Sequence, residues 1–227
     1  MKNKKYNLLI LLFRLTIVAI AVTGIFAKTP NGFWGQFWFF TLQTNLFVTI
    51  MMITLIFNQI LNFFNIKTTF TKSTWFFYLR ILVTFFISIT GLIFCFILTP
   101  VAIVTNNLIS VTLSYRDIFL HIFVPILTII EFFVLAPKIK IKQTSSYLFL
   151  IYPLIYTLTI FLRATFNGST FPGGSIYPYF FLDPTFYNQG WTTVFCYSII
   201  LLVSFHLLSM LFIYFNNKLI SANKKDS

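Results

Sequence analysis

A chain of 227 residues that is 58% hydrophobic, 21% aromatic and only 9% charged, with 32 phenylalanines, does not have the make-up of a soluble globular domain, where about a quarter of residues are charged. Its net charge of +12 does not signal a nucleic-acid binder, because the lysines stand at the ends of apolar runs and form no compact basic face. Two cysteines and two histidines supply neither a CxxC pair nor a metal-spaced set, and no Walker loop, Rossmann glycine run, G-x-S-x-G or H-E-x-x-H motif occurs, so neither metal nor cofactor is expected.

Six apolar runs follow one another along the chain, at about 7–27, 36–64, 75–98, 117–136, 146–165 and 191–215, each long enough to cross about 30 Å of hydrocarbon as a helix. The first carries Arg14 and is longer than a secretory signal core, so it reads as a span. The second exceeds a simple span and is expected to tilt or to project into the cytoplasm. The third places Arg80, Thr84, Ser88, Gly91 and Cys95 on one arc, which suits close packing between helices. The fourth places Asp117, His121, Thr128 and Glu131 within about 80° of one face at helical spacing. At membrane depth a central acidic or basic residue costs roughly 2.5–3.5 kcal/mol, so this stripe must face a protein interior or a wet cavity. The fifth carries Tyr152, Tyr156, Thr159 and Arg163, and the sixth His206. The fold expected is therefore all-α, a single domain over 1–227 made of six transmembrane helices.

Charge sets the expected orientation. With the N-terminus inside, eleven lysines fall on the cytoplasmic side: those of the N-terminal run, Lys67, Lys72, Lys138, Lys140, Lys142 and those from Lys218 onward. Lys28, Arg116 and Arg163 are left outside. Both termini are then cytoplasmic, in a multi-pass protein of the cell membrane. The stretch 166–190 becomes an extracytoplasmic loop rich in Gly, Pro and aromatics. It includes Asn167-Gly168-Ser169, Pro172-Gly173-Gly174 and Tyr177-Pro178 through Asp183-Pro184, and reads either as a lid or as an aromatic belt.

Depth sorts the polar side chains into two layers. The inner one holds Arg14, Arg80, Glu131 and His206. An unpaired carboxylate there would be expensive, so Glu131 is expected to meet Arg14 or Arg80 or to be protonated, as a structural brace or as part of an ion relay. The outer one holds Thr41, Thr44, Asn45, Asp117, His121 and Arg163. A hydroxyl, an imidazole, a carboxylate one turn before it and an arginine are the parts of a nucleophile, a base, an orienting group and an anion anchor. Each of these residues alone reads first as structural, and only together do they suggest a site.

Thr41-Leu42-Gln43-Thr44-Asn45-Leu46, His121 with Pro125 and Glu131, Tyr152-Pro153 with Arg163, and Tyr177-Pro178 with Leu182-Asp183 together resemble the Pr-six-Pr bacterial membrane proteins. Those are distant relatives of the animal androgen-induced-gene membrane proteins, and the resemblance spans the second to sixth runs. It implies an intramembrane threonine hydrolase of fatty-acid esters, with Thr41 as nucleophile and His121 as base. Pro125 stands one residue earlier than in the animal proteins, and Gln43 with Asn45 follows the bacterial pattern.

The function expected is hydrolysis or binding of a lipid ester in the outer leaflet. Asp117 or a backbone carbonyl orients His121, Asn45 is the first oxyanion donor to consider, and Arg163 holds a carboxylate or phosphate. Tyr177, Pro178 and Asp183 belong to the lid. A transporter or proton-coupled carrier and a noncatalytic scaffold are the rival readings; substrate identity and oligomeric state are not legible. If the lysines set orientation, a cysteine placed at Lys140 in a background lacking Cys95 and Cys196 reacts with an impermeant label only after the membrane is opened. One placed at Ser169 reacts in intact cells.

Overall fold

The computed structural model describes residues 2–27, 32–66, 69–104, 114–166, 168–171 and 174–223. Of the residues named above, Lys28, Lys67, Asn167, Pro172, Gly173 and the last lysines lie outside these. Among the described residues every regular element is helical. Six stretches are long and apolar enough to cross a membrane: Lys5–Ile25, Phe40–Phe63, Thr74–Val104, Tyr115–Leu135, Gln143–Thr165 and Trp191–Ile220. The protein is thus an all-helical integral membrane protein. In chain order its helices are α1 (Lys2–Ile25), α2 (Gly32–Gln36), α3 (Phe40–Phe63), α4 (Thr74–Ile93), α5 (Thr99–Val104), α6 (Tyr115–Ile118), α7 (Val124–Leu135), α8 (Leu148–Thr165) and α9 (Trp191–Asn223).

The second apolar run, 36–64, forms one helix that is shorter than the run and is preceded by a break. The short α2 ends at Gln36, a turn takes up 37–39, and α3 starts at Phe40. Backbone groups of the break find partners nearby. Phe37 N–H reaches Trp34 O and Phe39 N–H reaches Gln36 O, while Trp38 O accepts the Tyr156 hydroxyl at 2.8 Å. Apolar residues run straight through the turn, so hydropathy has nothing to mark it.

The third and fourth spans each contain one wide π-helical turn, Phe94–Leu98 and Phe119–Phe123. Each is followed by one residue and then a proline, Thr99-Pro100 in one case and Val124-Pro125 in the other. A proline ring clashes with the carbonyl four residues back and brings no N–H, and opening the turn to a five-residue hydrogen bond relieves the clash. Accordingly Thr99 N–H bonds to Phe94 O and Val124 N–H to Phe119 O.

The chain groups into two compact units, 1–28 with 41–137, and 29–40 with 138–227. In the first, α1, α3, α4 and α7 share an apolar core that includes Ile17, Met52, Phe76, Ile87 and Val124. Within it Glu131, wholly buried, accepts from two arginines: Arg14 Nε at 2.9 Å, and Arg80 Nη2 at 2.6 Å from each carboxylate oxygen. Arg14 Nη1 continues to Gln59 Oε1 at 3.0 Å, and Gln59 Nε2 to Asn7 O at 2.6 Å. His206, grouped with these residues on sequence, belongs to the other unit and stacks on Tyr147, ring centroids 4.8 Å apart.

The second unit packs α8 against α9. Between these spans the segment leading into α8 is gripped by α9: Asn217 bonds both the N–H and the carbonyl of Ile141, and Asn216 bonds Ile139 O. Within the 166–190 stretch, polar groups of residues 175–185 pair with one another. Asp183, 5% exposed, accepts from Ser175 Oγ at 2.5 Å and from Thr185 N–H and Oγ1 at 2.8 and 2.6 Å, while Tyr177 N–H bonds Ser175 Oγ.

The Arg14–Glu131–Arg80 cluster makes a measurable claim. Glu131→Gln keeps an acceptor for the guanidinium groups, whereas Glu131→Leu leaves two buried charges unpaired, a loss on the order of 3–5 kcal/mol. In detergent the Leu variant is expected to melt well below the Gln variant. Equal melting temperatures for wild type and Glu131→Leu would contradict the brace.

Candidate functional site

Thr41 sits one residue into α3, where Thr44 and Asn45 share its inward face; Thr44 and Asn45 are completely enclosed, and Thr41 and His121 each keep 8% exposure. His121 comes from the wide turn Phe119–Phe123. The two side chains meet, with Thr41 Oγ1 3.0 Å from His121 Nε2.

The other ring nitrogen decides which way that hydrogen bond points. His121 Nδ1 lies 3.0 Å from the backbone carbonyl of Asp117. A carbonyl only accepts, so Nδ1 carries the proton, and in the neutral ring Nε2 presents its lone pair to the threonine hydroxyl. Of the two orienting groups considered on sequence, the backbone carbonyl is the one at hydrogen-bond distance; the carboxylate Oδ1 stands 3.9 Å from Nδ1. Asp117 has a second task. Ser114 caps the helix, its Oγ accepting Asp117 N–H at 3.2 Å and donating to Asp117 Oδ2 at 2.7 Å. Ser-x-x-Asp ahead of an apolar run is the sequence pattern of such a cap. Phe94 stacks flat on the imidazole, centroids 4.2 Å apart and planes 13° from parallel. Nothing distinguishes Phe94 in sequence from the other phenylalanines. The arc expected to end on Cys95 ends on Phe94, because the turn opens at this point; Cys95 is exposed.

Asn45 explains how the wide turn is tolerated. Val124 N–H is bonded to Phe119 O, and Pro125 has no N–H, so the carbonyl of Leu120 has no helical donor from either. Asn45 Nδ2 supplies one at 3.1 Å and gives its second hydrogen to Thr41 O at 2.8 Å. One amide therefore ties the residue that carries the hydroxyl to the turn that carries the imidazole. Both its donors are committed to carbonyls, which removes Asn45 as an oxyanion donor and makes it a positioning residue. Thr44 supports the same corner, its Oγ1 3.1 Å from Thr41 O and 2.8 Å from Thr90 Oγ1.

Two glycines let neighbouring helices close on the turn. A Cβ on Gly91 would stand 3.0 Å from His121 O and 3.2 Å from Pro125 Cβ, and one on Gly24 would overlap the Leu120 side chain at 2.6 Å. Thr128 and Glu131 continue the stripe of His121 along α7, both wholly buried. Arg163 and the residues Tyr177, Pro178 and Asp183 belong to the second unit. There the guanidinium bonds Ile176 O at 2.7 Å and the Ser169 carbonyl, with Trp38 and Phe171 rings against it at 5.1 and 4.6 Å. Among the described residues no group of three His, Cys, Asp or Glu side chains is placed to hold a metal ion.

Replacing Asn45 by Leu leaves the Leu120 carbonyl buried without a donor. A loss of about 1–3 kcal/mol in stability is expected, read as a lower melting temperature in detergent. Compared with protein-family models, with curated proteins and with solved structures, the chain matches none of them.

Proposed function

We propose that this protein is an intramembrane hydrolase of lipid (fatty-acyl) esters in which Thr41 is the nucleophile and His121 the general base. One observation carries the reading: a threonine hydroxyl 3.0 Å from an imidazole nitrogen whose partner nitrogen is bonded to a main-chain carbonyl. In the proposed reaction His121 Nε2 takes the hydroxyl proton as Thr41 Oγ attacks the acyl carbon, and the imidazolium returns that proton to the departing alcohol. Water then releases the acyl group from Thr41 with His121 again as base. Asp117 serves twice, its carbonyl holding the tautomer and its nearby carboxylate favouring the transient imidazolium. Asn45 and Phe94 keep the ring and the hydroxyl in register.

The reading includes the resemblance to the Pr-six-Pr proteins, cytoplasmic termini, a cell-membrane location and an outer-leaflet position for the dyad. A proton-coupled carrier is the weaker reading. Both oxygens of Glu131 are engaged by guanidinium groups, which do not release protons, and this favours a brace over a relay.

Purified protein in detergent, assayed on fatty-acyl esters of fatty alcohols and of hydroxy fatty acids, tests the proposal. Thr41→Ala and His121→Ala are each expected to lower turnover by about 10² or more, and the double variant to be little worse than either. Thr41→Ser retains activity, since it keeps the attacking hydroxyl. Turnover unchanged in Thr41→Ala, or absent from the wild type on every such ester, rejects the hydrolase.

A further inference from the structure

In the second unit an open cleft of about 400 Å³ is lined by Trp38, Thr159, Leu162, Arg163, Phe166 and Ser169. We propose that this cleft binds the anionic head, carboxylate or phosphate, of an amphiphile whose acyl chain lies along α8; the inference does not rest on the hydrolase reading.

The cation is built into place. Arg163 stands in the last turn of α8, where a positive charge suits the helix end. Its Nη1 donates to Ile176 O at 2.7 Å, and its Nη2 donates to the Ser169 carbonyl and to Ser169 Oγ at 3.2 Å. The rings of Trp38 and Phe171 lie against it. Space has been kept for it as well, since a Cβ on Gly168 would come within 2.8–2.9 Å of three of its side-chain atoms. All of these partners are neutral. Among the described residues no carboxylate neutralises the guanidinium, and Nε makes no hydrogen bond, which leaves a charge and a donor for an anion.

The surroundings select an amphiphile over a free ion. Arg163 lies at the end of the span Gln143–Thr165, the depth at which head groups meet hydrocarbon. From the cleft an exposed apolar stripe runs back along α8 at helical spacing, through Phe166, Leu162, Leu158 and Ile155, 81%, 50%, 59% and 56% exposed. A head group at Arg163 therefore has an apolar track beneath it for its chain.

The test uses the full chain in nonionic detergent, offered dioleoyl phosphatidylglycerol, oleate or dioleoyl phosphatidylcholine, with bound lipid counted by native mass spectrometry. Wild type is expected to retain phosphatidylglycerol and oleate about tenfold better than phosphatidylcholine, the worth of one charge-assisted hydrogen bond. Arg163→Gln is expected to abolish the difference. Because Arg163 also organises the loop, Leu162→Trp supplies a second arm: it fills the cleft and leaves every bond of Arg163 intact, and it too is expected to remove the preference. Equal retention of the two phospholipids by wild type, or undiminished phosphatidylglycerol retention in Leu162→Trp, would overturn the proposal. Displacement of bound phosphatidylglycerol by inorganic phosphate as readily as by oleate would overturn the amphiphile assignment.

Discussion

The carboxylate of Glu131 is the constraint around which the first unit is arranged. A single negative charge with no exposure must be met by donors from neighbouring helices, and here α1 and α4 each bring one, so three spans are held at one depth. A second level of contact is set at a matching distance from it. Gly24 lies ten residues on from Arg14, Gly91 eleven on from Arg80, and His121 ten back from Glu131. At 1.5 Å per residue these intervals place the glycine contacts about 15 Å from the ion cluster along each helix. The same three helices that pair by charge at one level therefore meet by close backbone approach at the other.

At that second level a shortage of donors shapes the structure. In an apolar medium every carbonyl needs a partner within the protein, and a proline withdraws one. Pro125 opens the turn before it, the open turn presents His121 inward, and the carbonyl of Leu120 that goes without a helical donor is met by Asn45 from α3. Replacement of the missing backbone bond by a side chain from another helix thus sets the spacing between α3 and this turn. The 3.0 Å separation of Thr41 and His121 is held by that arrangement. Pro100 produces the companion turn in the third span, which brings Phe94 inward onto the imidazole.

The second unit solves a different problem, a long irregular segment rich in glycine and proline next to two spans. Among its described residues, Asp183 from within and Arg163 from α8 each collect several backbone or hydroxyl partners. Aromatic rings close the remainder, Tyr179 stacked on Phe181 and Phe39 edge-on to Phe171. Loop order here follows from one anion and one cation, acting separately and each through neutral partners.

Composition and run length alone determined that the chain is helical and has six stretches long and apolar enough to cross a membrane, because the hydrocarbon thickness prescribes about 20 apolar residues per span. Helical spacing likewise determined that Thr41, Thr44 and Asn45 share a face, and that Asp117, His121, Thr128 and Glu131 turn towards the protein interior. Partner choice lay beyond it. Whether Glu131 met one arginine or two, and that His206 stood in the other unit, depended on which helices are neighbours, a matter of packing between segments far apart in the chain. The Phe37–Phe39 break and the inward place of Phe94 over Cys95 were also decided in three dimensions. Hydropathy is blind to a turn made of apolar residues, and a uniform 100° per residue does not hold through a π turn. Even the role of Asn45 changed for this reason: its type and position were plain in the sequence, but the carbonyl that claims its amide exists only where Pro125 has removed a hydrogen bond from another helix.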